Sequence, residues 1–307
     1  MRIGAHMSAA GGTARAVERA VLHGCEALQI FSKNNARWEG KPLDPDDVRA
    51  FRAGVEANGL APVVAHASYL INLAAPTGPL RDRSIDALVD ELARARQLGL
   101  LGVVVHPGVR AASQPTVAEA IDLVGDAIAA AVARDGGDVM VLLEHTAGAG
   151  RSLGSSFEEI AAMLARVDGS PRVGVCLDTC HLLASGYDIA APGGYTPTIE
   201  LFDRVVGIRR LQLIHANDSK RPRGSRVDRH EHIGAGFVGL DAFARLLHDP
   251  RLAHLAMVIE TAKTPRLCDD PRRARLDPLD QRNLDLLRRM RSAPCDVRSA
   301  SIPGTEP

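Results

Sequence analysis

Short runs of β-branched and aliphatic residues recur along the chain. Each is followed by a turn-rich loop and then by a stretch whose apolar residues fall at helical spacing. There are eight such runs: Arg2–His6, Ala27–Phe31, Pro62–His66, Gly102–His106, Val139–Glu144, Val173–Asp178, Leu211–His215 and Ala256–Glu260. They are near-continuously apolar rather than alternating, the pattern of strands covered on both faces. Most lie roughly 35 to 45 residues apart, the length of a strand, a crossover helix and two loops. The intervening helices carry their own punctuation. Asp44 can cap a helix whose first turn holds Pro45, Asp46 and Asp47, whose face is Val48, Phe51 and Val55, and whose stop is Asn58-Gly59. A second helix is expected from Arg83 to Leu98, ended by Gly99.

This alternation predicts an α/β protein built as a single (β/α)8 barrel over residues 1–290, with an open doubly wound sheet as the alternative, because sequence does not show closure. The segment 291–307 has no periodicity and is expected to be a frayed tail.

Composition narrows the setting. The chain has 307 residues, 46% of them hydrophobic and 24% charged, enough to build a large core. The N-terminus lacks a signal-peptide pattern and no run approaches a membrane span, so a soluble cytoplasmic protein, acting as a monomer, is expected. Five scattered cysteines fit neither a disulfide framework nor a paired zinc knuckle, and reduced thiols are expected. The 37 basic residues equal the 37 acidic ones, which argues against a generic polyanion coater.

The strand ends change that picture. Seven of the eight runs end within a residue of a polar or metal-competent side chain: His6, His66, His106, Glu144, Asp178, His215 and Glu260. In a closed barrel these ends converge on the face where active sites lie. One strand-terminal histidine is ordinary; seven such ends together are not. His181 follows Asp178 by three residues, and Asp228 and His230 lie in the loop after His215, giving nine candidate ligands once His6 is set aside. Imidazole and carboxylate donors suit zinc or manganese, and nine exceed what one tetrahedral ion can use. With bridging carboxylates they would serve two or three ions, an arrangement suited to activating water on a phosphodiester.

At these residues the chain resembles the endonuclease IV family of apurinic/apyrimidinic endonucleases. The resemblance runs from Gly4-Ala5-His6 to Ile259-Glu260-Thr261, through the stretches His66–Leu73, Val105–Gly108, Glu144–Gly148, Gly174–His181, His215–Asp218 and Asp228–His230. It implies three Zn2+ ions per chain, with Mn2+ as an alternative at some positions. His66, His106 and Glu144 would hold one ion. Glu144, Asp178, His215 and Glu260 would hold a second, and His181, Asp228 and His230 a third. Glu144 would bridge the first two ions, and Glu144 and Glu260 would be the catalytic carboxylates orienting the attacking water.

The implied partner is double-stranded DNA containing an abasic site. Cleavage 5′ to the lesion would leave a 3′-hydroxyl and a 5′-deoxyribose phosphate, after the abasic sugar is turned out of the helix, where no base pair has to be broken. Tyr69 matches an inserting residue. His6, Lys33, Arg37 and Arg229 join it as expected DNA contacts. Lys33, Lys41, Lys220 and Lys263 all follow strands, and Arg221, Arg223, Arg226 and Arg229 crowd one loop against the single acid Asp228, so positive potential is expected on the active face. Departures from the family pattern are Ala36, Ala67, His145 and Ala235, none of them among the nine ligands.

The main rival is a xylose-isomerase-like sugar isomerase or epimerase. It would need only Glu144, Asp178, His215 and Glu260 around one divalent ion, so the other five ligands discriminate. A non-catalytic DNA-binding barrel is a third reading, disfavoured because no ligand position is substituted. Cys176 and Cys180 are read as packing residues, and His230 is preferred to His232 as a ligand.

Overall fold

The computed structural model describes residues 1–113, 116–167, 170–265 and 274–293. Among these, eight parallel strands close into a barrel: β1 (Arg2–His6), β2 (Ala27–Phe31), β3 (Val63–His66), β4 (Gly102–Val105), β5 (Met140–Glu144), β6 (Val173–Asp178), β7 (Leu211–His215) and β10 (Ala256–Ile259). Between the last two, β8 (Asp218–Ser219) and β9 (His230–Glu231) pair as a small antiparallel hairpin in the loop after β7. The barrel strands neighbour one another in chain order, and β10 returns to β1 in the register Arg2–Ala256 to Ala5–Ile259. Closure removes the open-sheet alternative.

The helices are α1 (Thr13–Leu22), α2 (Pro45–Ala57), α3 (Pro79–Leu98), α4 (Val117–Asp135), α5 (Phe157–Arg166), α6 (Thr179–Ser185), α7 (Tyr195–Val205), α8 (Leu240–His248) and α9 (Pro278–Ser292). Asp44 caps α2 as expected, accepting from the Asp46 N–H at 2.8 Å. Helix α3 ends on Gly99 in the left-handed region but starts a turn earlier than its apolar spacing suggests. The extra turn contains Arg81, a buried cation that donates to the carbonyls of Leu73 and Leu123, so polar bonding rather than apolar periodicity holds it. Helix α9 reaches Ser292, just past the expected boundary; residues 294–307 of the expected tail lie outside the described residues.

Two apolar layers hold the fold. The outer one lies between strands and helices, where Phe51, Phe157, Phe202 and Phe243 are fully buried, each contributing about 1.5–3 kcal/mol. The inner one fills the barrel with Ala27, Val64, Val104, Leu142, Cys176, Leu213 and Val258. Strand β1 contributes Gly4 at this level, where a Cβ would come within 2.0 Å of the Ala27 carbonyl oxygen. The barrel interior is therefore solid beneath its mouth. No helix among the described residues is long and apolar enough to cross a membrane.

Candidate metal centre

Side chains alternate along a strand, so the residue two positions beyond each inner-layer residue also faces inward, at the barrel mouth. Counting on from Val64, Val104, Leu142, Cys176, Leu213 and Val258 gives His66, His106, Glu144, Asp178, His215 and Glu260. From Gly4 and Ala27 it gives His6 and Gln29. One solid apolar layer thus carries a polar layer on top of it.

The nine expected ligands converge there in overlapping groups. His66, His106 and Glu144 offer ligand atoms within 4.8 Å of one another, as do Glu144, Asp178, His215 and Glu260. Glu144 joins the two groups. Its Oε2 lies 3.2 Å from His66 Nε2 and 3.1 Å from His106 Nε2, and its Oε1 lies 3.1 Å from His215 Nδ1. In the third group, Asp228 spans two imidazoles, with Oδ2 3.1 Å from His181 Nε2 and Oδ1 3.2 Å from His230 Nε2. Asp178 leans towards this group too, its Oδ2 3.6 Å from His230 Nε2, and Asp178, His181 and His230 offer ligand atoms within 4.8 Å of one another. Asp178 therefore stands between the second and third groups, a placement that its position in the sequence does not show.

Local structure explains how these side chains are aimed. Asp178 ends β6 and is the N-cap of α6, where its Oδ1 accepts from the His181 N–H at 2.9 Å. The cap fixes the first turn that carries His181. Asp178 Oδ2 accepts from the Asn217 amide at 2.6 Å, while Asn217 Oδ1 accepts from the Glu260 N–H at 2.9 Å. His230 lies on β9, held beside Ser219 of β8. Asp218 anchors the following loop, its buried carboxylate accepting from the N–H groups of Ser219, Gly234, Val238 and Gly239.

The donor chemistry fits divalent cations. His66, His181 and His230 each turn Nδ1 onto a main-chain carbonyl, of Ala67 at 2.8 Å, His145 at 2.8 Å and Glu260 at 3.3 Å respectively. A carbonyl only accepts, so Nδ1 carries the hydrogen and the Nε2 lone pair faces the carboxylates. Lone pair against carboxylate oxygen is repulsive unless a cation or a proton lies between them. His181 Nε2 and His230 Nε2 are buried and lack an aligned hydrogen-bond partner.

The same conflict appears as shifted acidities. Burial pushes His181 down, but Asp178, Asp228 and Glu144 outweigh it and raise the ring to about 10; His230 rises to about 9 against burial, mainly through Asp178 and Asp228. Burial opposes ionisation of Glu144, Asp228 and Glu260, yet the facing imidazoles hold all three below the usual carboxylate range. Without metal, protons balance the carboxylates; divalent ions can replace them.

The two nearby thiols are poor candidates. Burial, with the metal-site acids adding to it, pushes Cys180 up to about 12, and burial raises Cys176 likewise to about 12. Cys180 lies within reach of Asp228 and His230, but a protonated thiol is a weak ligand, and its Sγ contacts the Arg229 carbonyl. His232 is turned away from the centre and pairs with the Asn283 amide.

The expected DNA contacts fare unevenly. Tyr69 is 62% exposed beside His66 and His106, and Arg37 and Arg229 are exposed. Lys33 requires correction: its ammonium is buried, bonded to Asp90 at 2.6 Å and to the Trp38 carbonyl at 3.0 Å, and it lies 3.6 Å from Glu91. It staples the loop after β2 to α3. Lys263 is likewise held by Asp280, leaving Lys41 and Lys220 as the exposed lysines. His6 lies in the inward layer at the mouth, its side chain 13% exposed and its Nδ1 3.0 Å from the Gln29 amide nitrogen. Gln29 was missed altogether. It was legible as the single polar residue of the Ala27–Phe31 run, two positions beyond a residue that must face inward. Beside the cluster opens a cavity of about 430 Å³, lined by His66, Tyr69, His106, Ala147, His181 and Asp228 among others.

A closed parallel barrel with this ring of imidazoles and carboxylates at its mouth defines a metal-site TIM barrel. Residues 17–289 match the family model described as xylose isomerase-like TIM barrel. The chain is 46% identical over 272 residues to probable endonuclease 4 of Chloroflexus aurantiacus, covering 88% of this chain and 94% of the relative. It is 44% identical over 287 residues to probable endonuclease 4 of Trichlorobacter lovleyi, covering 93% and 98%. The crystal structure of endonuclease IV from Thermus thermophilus superposes with a TM-score of 0.81 at 37% identity, covering 94% of this chain and 98% of that one. A D-tagatose 3-epimerase-like protein superposes at 0.68 with 18% identity, which shows the shared fold alone. The chain belongs to the endonuclease IV family of xylose isomerase-like TIM barrels.

Proposed function

We propose that this chain is a metal-dependent endonuclease that hydrolyses the phosphodiester 5′ to an abasic site in double-stranded DNA, leaving a 3′-hydroxyl and a 5′-deoxyribose phosphate. The observation that carries the reading is the continuity of the cluster: nine imidazoles and carboxylates in three groups, the first two sharing Glu144 and the last two sharing the neighbourhood of Asp178. Three ions, zinc with manganese as an alternative, would be held by His66, His106 and Glu144; by Glu144, Asp178, His215 and Glu260; and by His181, Asp228 and His230. When bound, such ions supply activated water at neutral pH and neutralise charge building on the phosphate.

The chain's own side chains do the remaining work. Glu144 and Glu260, whose carboxylates would ligate the ions, would also accept a hydrogen bond from the attacking water and so orient it. Asn217 and the α6 cap hold Asp178 still. Tyr69 stands at the rim beside the cavity, suited to fill the space left when an abasic sugar turns out of the duplex. Arg37 and Arg229, both exposed, would meet backbone phosphates. Such an enzyme would work in the cytoplasm, at the chromosome, and we propose that it does so as a monomer.

The epimerase alternative uses four of the nine groups and leaves His66, His106, His181, Asp228 and His230 without a task. The relatives at 44–46% identity are named as endonucleases, whereas the epimerases share fold alone. A duplex carrying one abasic site tests the assignment. A nick 5′ to the lesion is expected, abolished by Glu144→Gln with the circular-dichroism spectrum retained. Turnover of a ketose without nicking would overturn it.

A further inference from the structure

Gln29 has no role in the assignment above, yet it is fully buried in the layer of ligands. Strand β2 is the one barrel strand whose end the sequence left without a metal-competent residue, and Gln29 is what it places at the mouth. Its amide makes three short contacts: Nε2 to Glu260 Oε1 at 2.5 Å, Nε2 to His6 Nδ1 at 3.0 Å, and Oε1 to His215 Nε2 at 2.8 Å.

The chemistry of the neighbours fixes which way the amide faces. An ionised carboxylate only accepts, so the NH2 end must meet Glu260. The carbonyl end then meets His215 Nε2, which must donate. The second N–H is satisfied by His6 Nδ1, which accepts as a neutral ring. All the amide's hydrogen-bonding capacity for donation is used.

This arrangement determines which nitrogen of His215 is free. Its hydrogen sits on Nε2, so the Nδ1 lone pair points to the centre, 3.1 Å from Glu144 Oε1 and 3.2 Å from Glu260 Oε2. The contrast with the other rings is sharp. His66, His181 and His230 are set by main-chain carbonyls on Nδ1 and present Nε2, whereas His215 presents Nδ1 and relies on a side chain to do so. The same amide holds one oxygen of Glu260, another member of the second group.

We propose that Gln29 is a positioning residue for the second ion alone: it sets the tautomer of His215 and the orientation of Glu260. The proposal rests on the metal-centre reading above. Gln29→Met keeps the volume and removes the amide. Gln29→Asn keeps an amide too short to reach His215 and Glu260 together.

Chelator competition, with bound zinc counted by elemental analysis, reads each ion without any substrate. In both variants one ion is expected to bind at least tenfold more weakly, with the other ions unchanged, by analogy with the usual 10–100-fold loss when a ligand's supporting hydrogen bond is removed. In 15N-histidine spectra of the zinc-loaded wild type, His215 is expected to carry its hydrogen on Nε2, and that signal should lose its protection from exchange in Gln29→Met. Wild-type affinity for every ion in a folded variant overturns the proposal, as does a His215 protonated on Nδ1 in the wild type. A wild-type protein that holds no tightly bound ion would instead overturn the metal-centre reading itself.

Discussion

Replacing Asp218 by asparagine tests how the third metal group is held in place without touching a ligand. Asp218 is fully buried, and its two oxygens accept four main-chain N–H groups: Ser219 at 2.7 Å and Val238 at 2.7 Å on Oδ1, Gly234 at 2.9 Å and Gly239 at 3.3 Å on Oδ2. An asparagine keeps one carbonyl oxygen, enough for the first pair. Its NH2 then confronts the N–H groups of Gly234 and Gly239, leaving two donors without an acceptor. Each such donor costs about 1–3 kcal/mol when buried. Gly234 is exposed and Gly239 half-buried, so water relieves part of this, and a loss of about 2–4 kcal/mol is expected. Urea denaturation of the metal-free protein measures it. Because β8 pairs with β9 through Ser219 and His230, the variant should also lose the ion of the third group before the others. A stability change below about 1 kcal/mol, with all ions retained, would refute the idea that this carboxylate builds the loop.

Other consequences are separable. Lys33→Met breaks a buried ion pair and is expected to cost about 3 kcal/mol by denaturation while leaving the salt dependence of DNA binding unchanged. A shallower salt slope in that variant would restore Lys33 as a phosphate contact. Arg37→Ala should instead leave stability alone and reduce that slope by about 1; an unchanged slope would remove Arg37 from the interface. Metal loading is expected to release protons. With His181 raised to about 10 and His230 to about 9, both rings are protonated at pH 7.5 in the metal-free protein, and an ion binding there must displace both hydrogens. Apparent affinity for that ion therefore rises about a hundredfold per pH unit up to roughly pH 9. Calorimetry in two buffers of different ionisation enthalpy should find at least two protons released per chain; release near zero would show rings of ordinary acidity.

The barrel was legible because each strand is a two-sided apolar run, and the ligands were legible because the alternation of side chains places a polar residue at the inward-facing end of such a run. The runs ending in His66, Glu144, Asp178 and His215 carry both signals at once. Three features escaped for physical reasons. Gln29 sits inside its strand rather than at the end and is not a metal-ligand residue type. Lys33 reads as a loop cation, but its partners Asp90 and Glu91 are more than fifty residues away on α3, a pairing only tertiary structure reveals. The first turn of α3 is held by Arg81 bonding to carbonyls, which leaves no apolar periodicity to detect. Zero net charge likewise conceals a mouth where clustered carboxylates and imidazoles would take up divalent cations.

If nine side chains hold three ions that together cut DNA at abasic sites, ion count and nicking must fall together. Native mass spectrometry of the protein, titrated with a chelator while nicking of an abasic duplex is followed on the same samples, measures both most directly. Three ions per chain are expected at full activity, with nicking lost as they are withdrawn. A chain that holds a single ion at saturation, or that nicks undiminished with only one bound, would contradict the account.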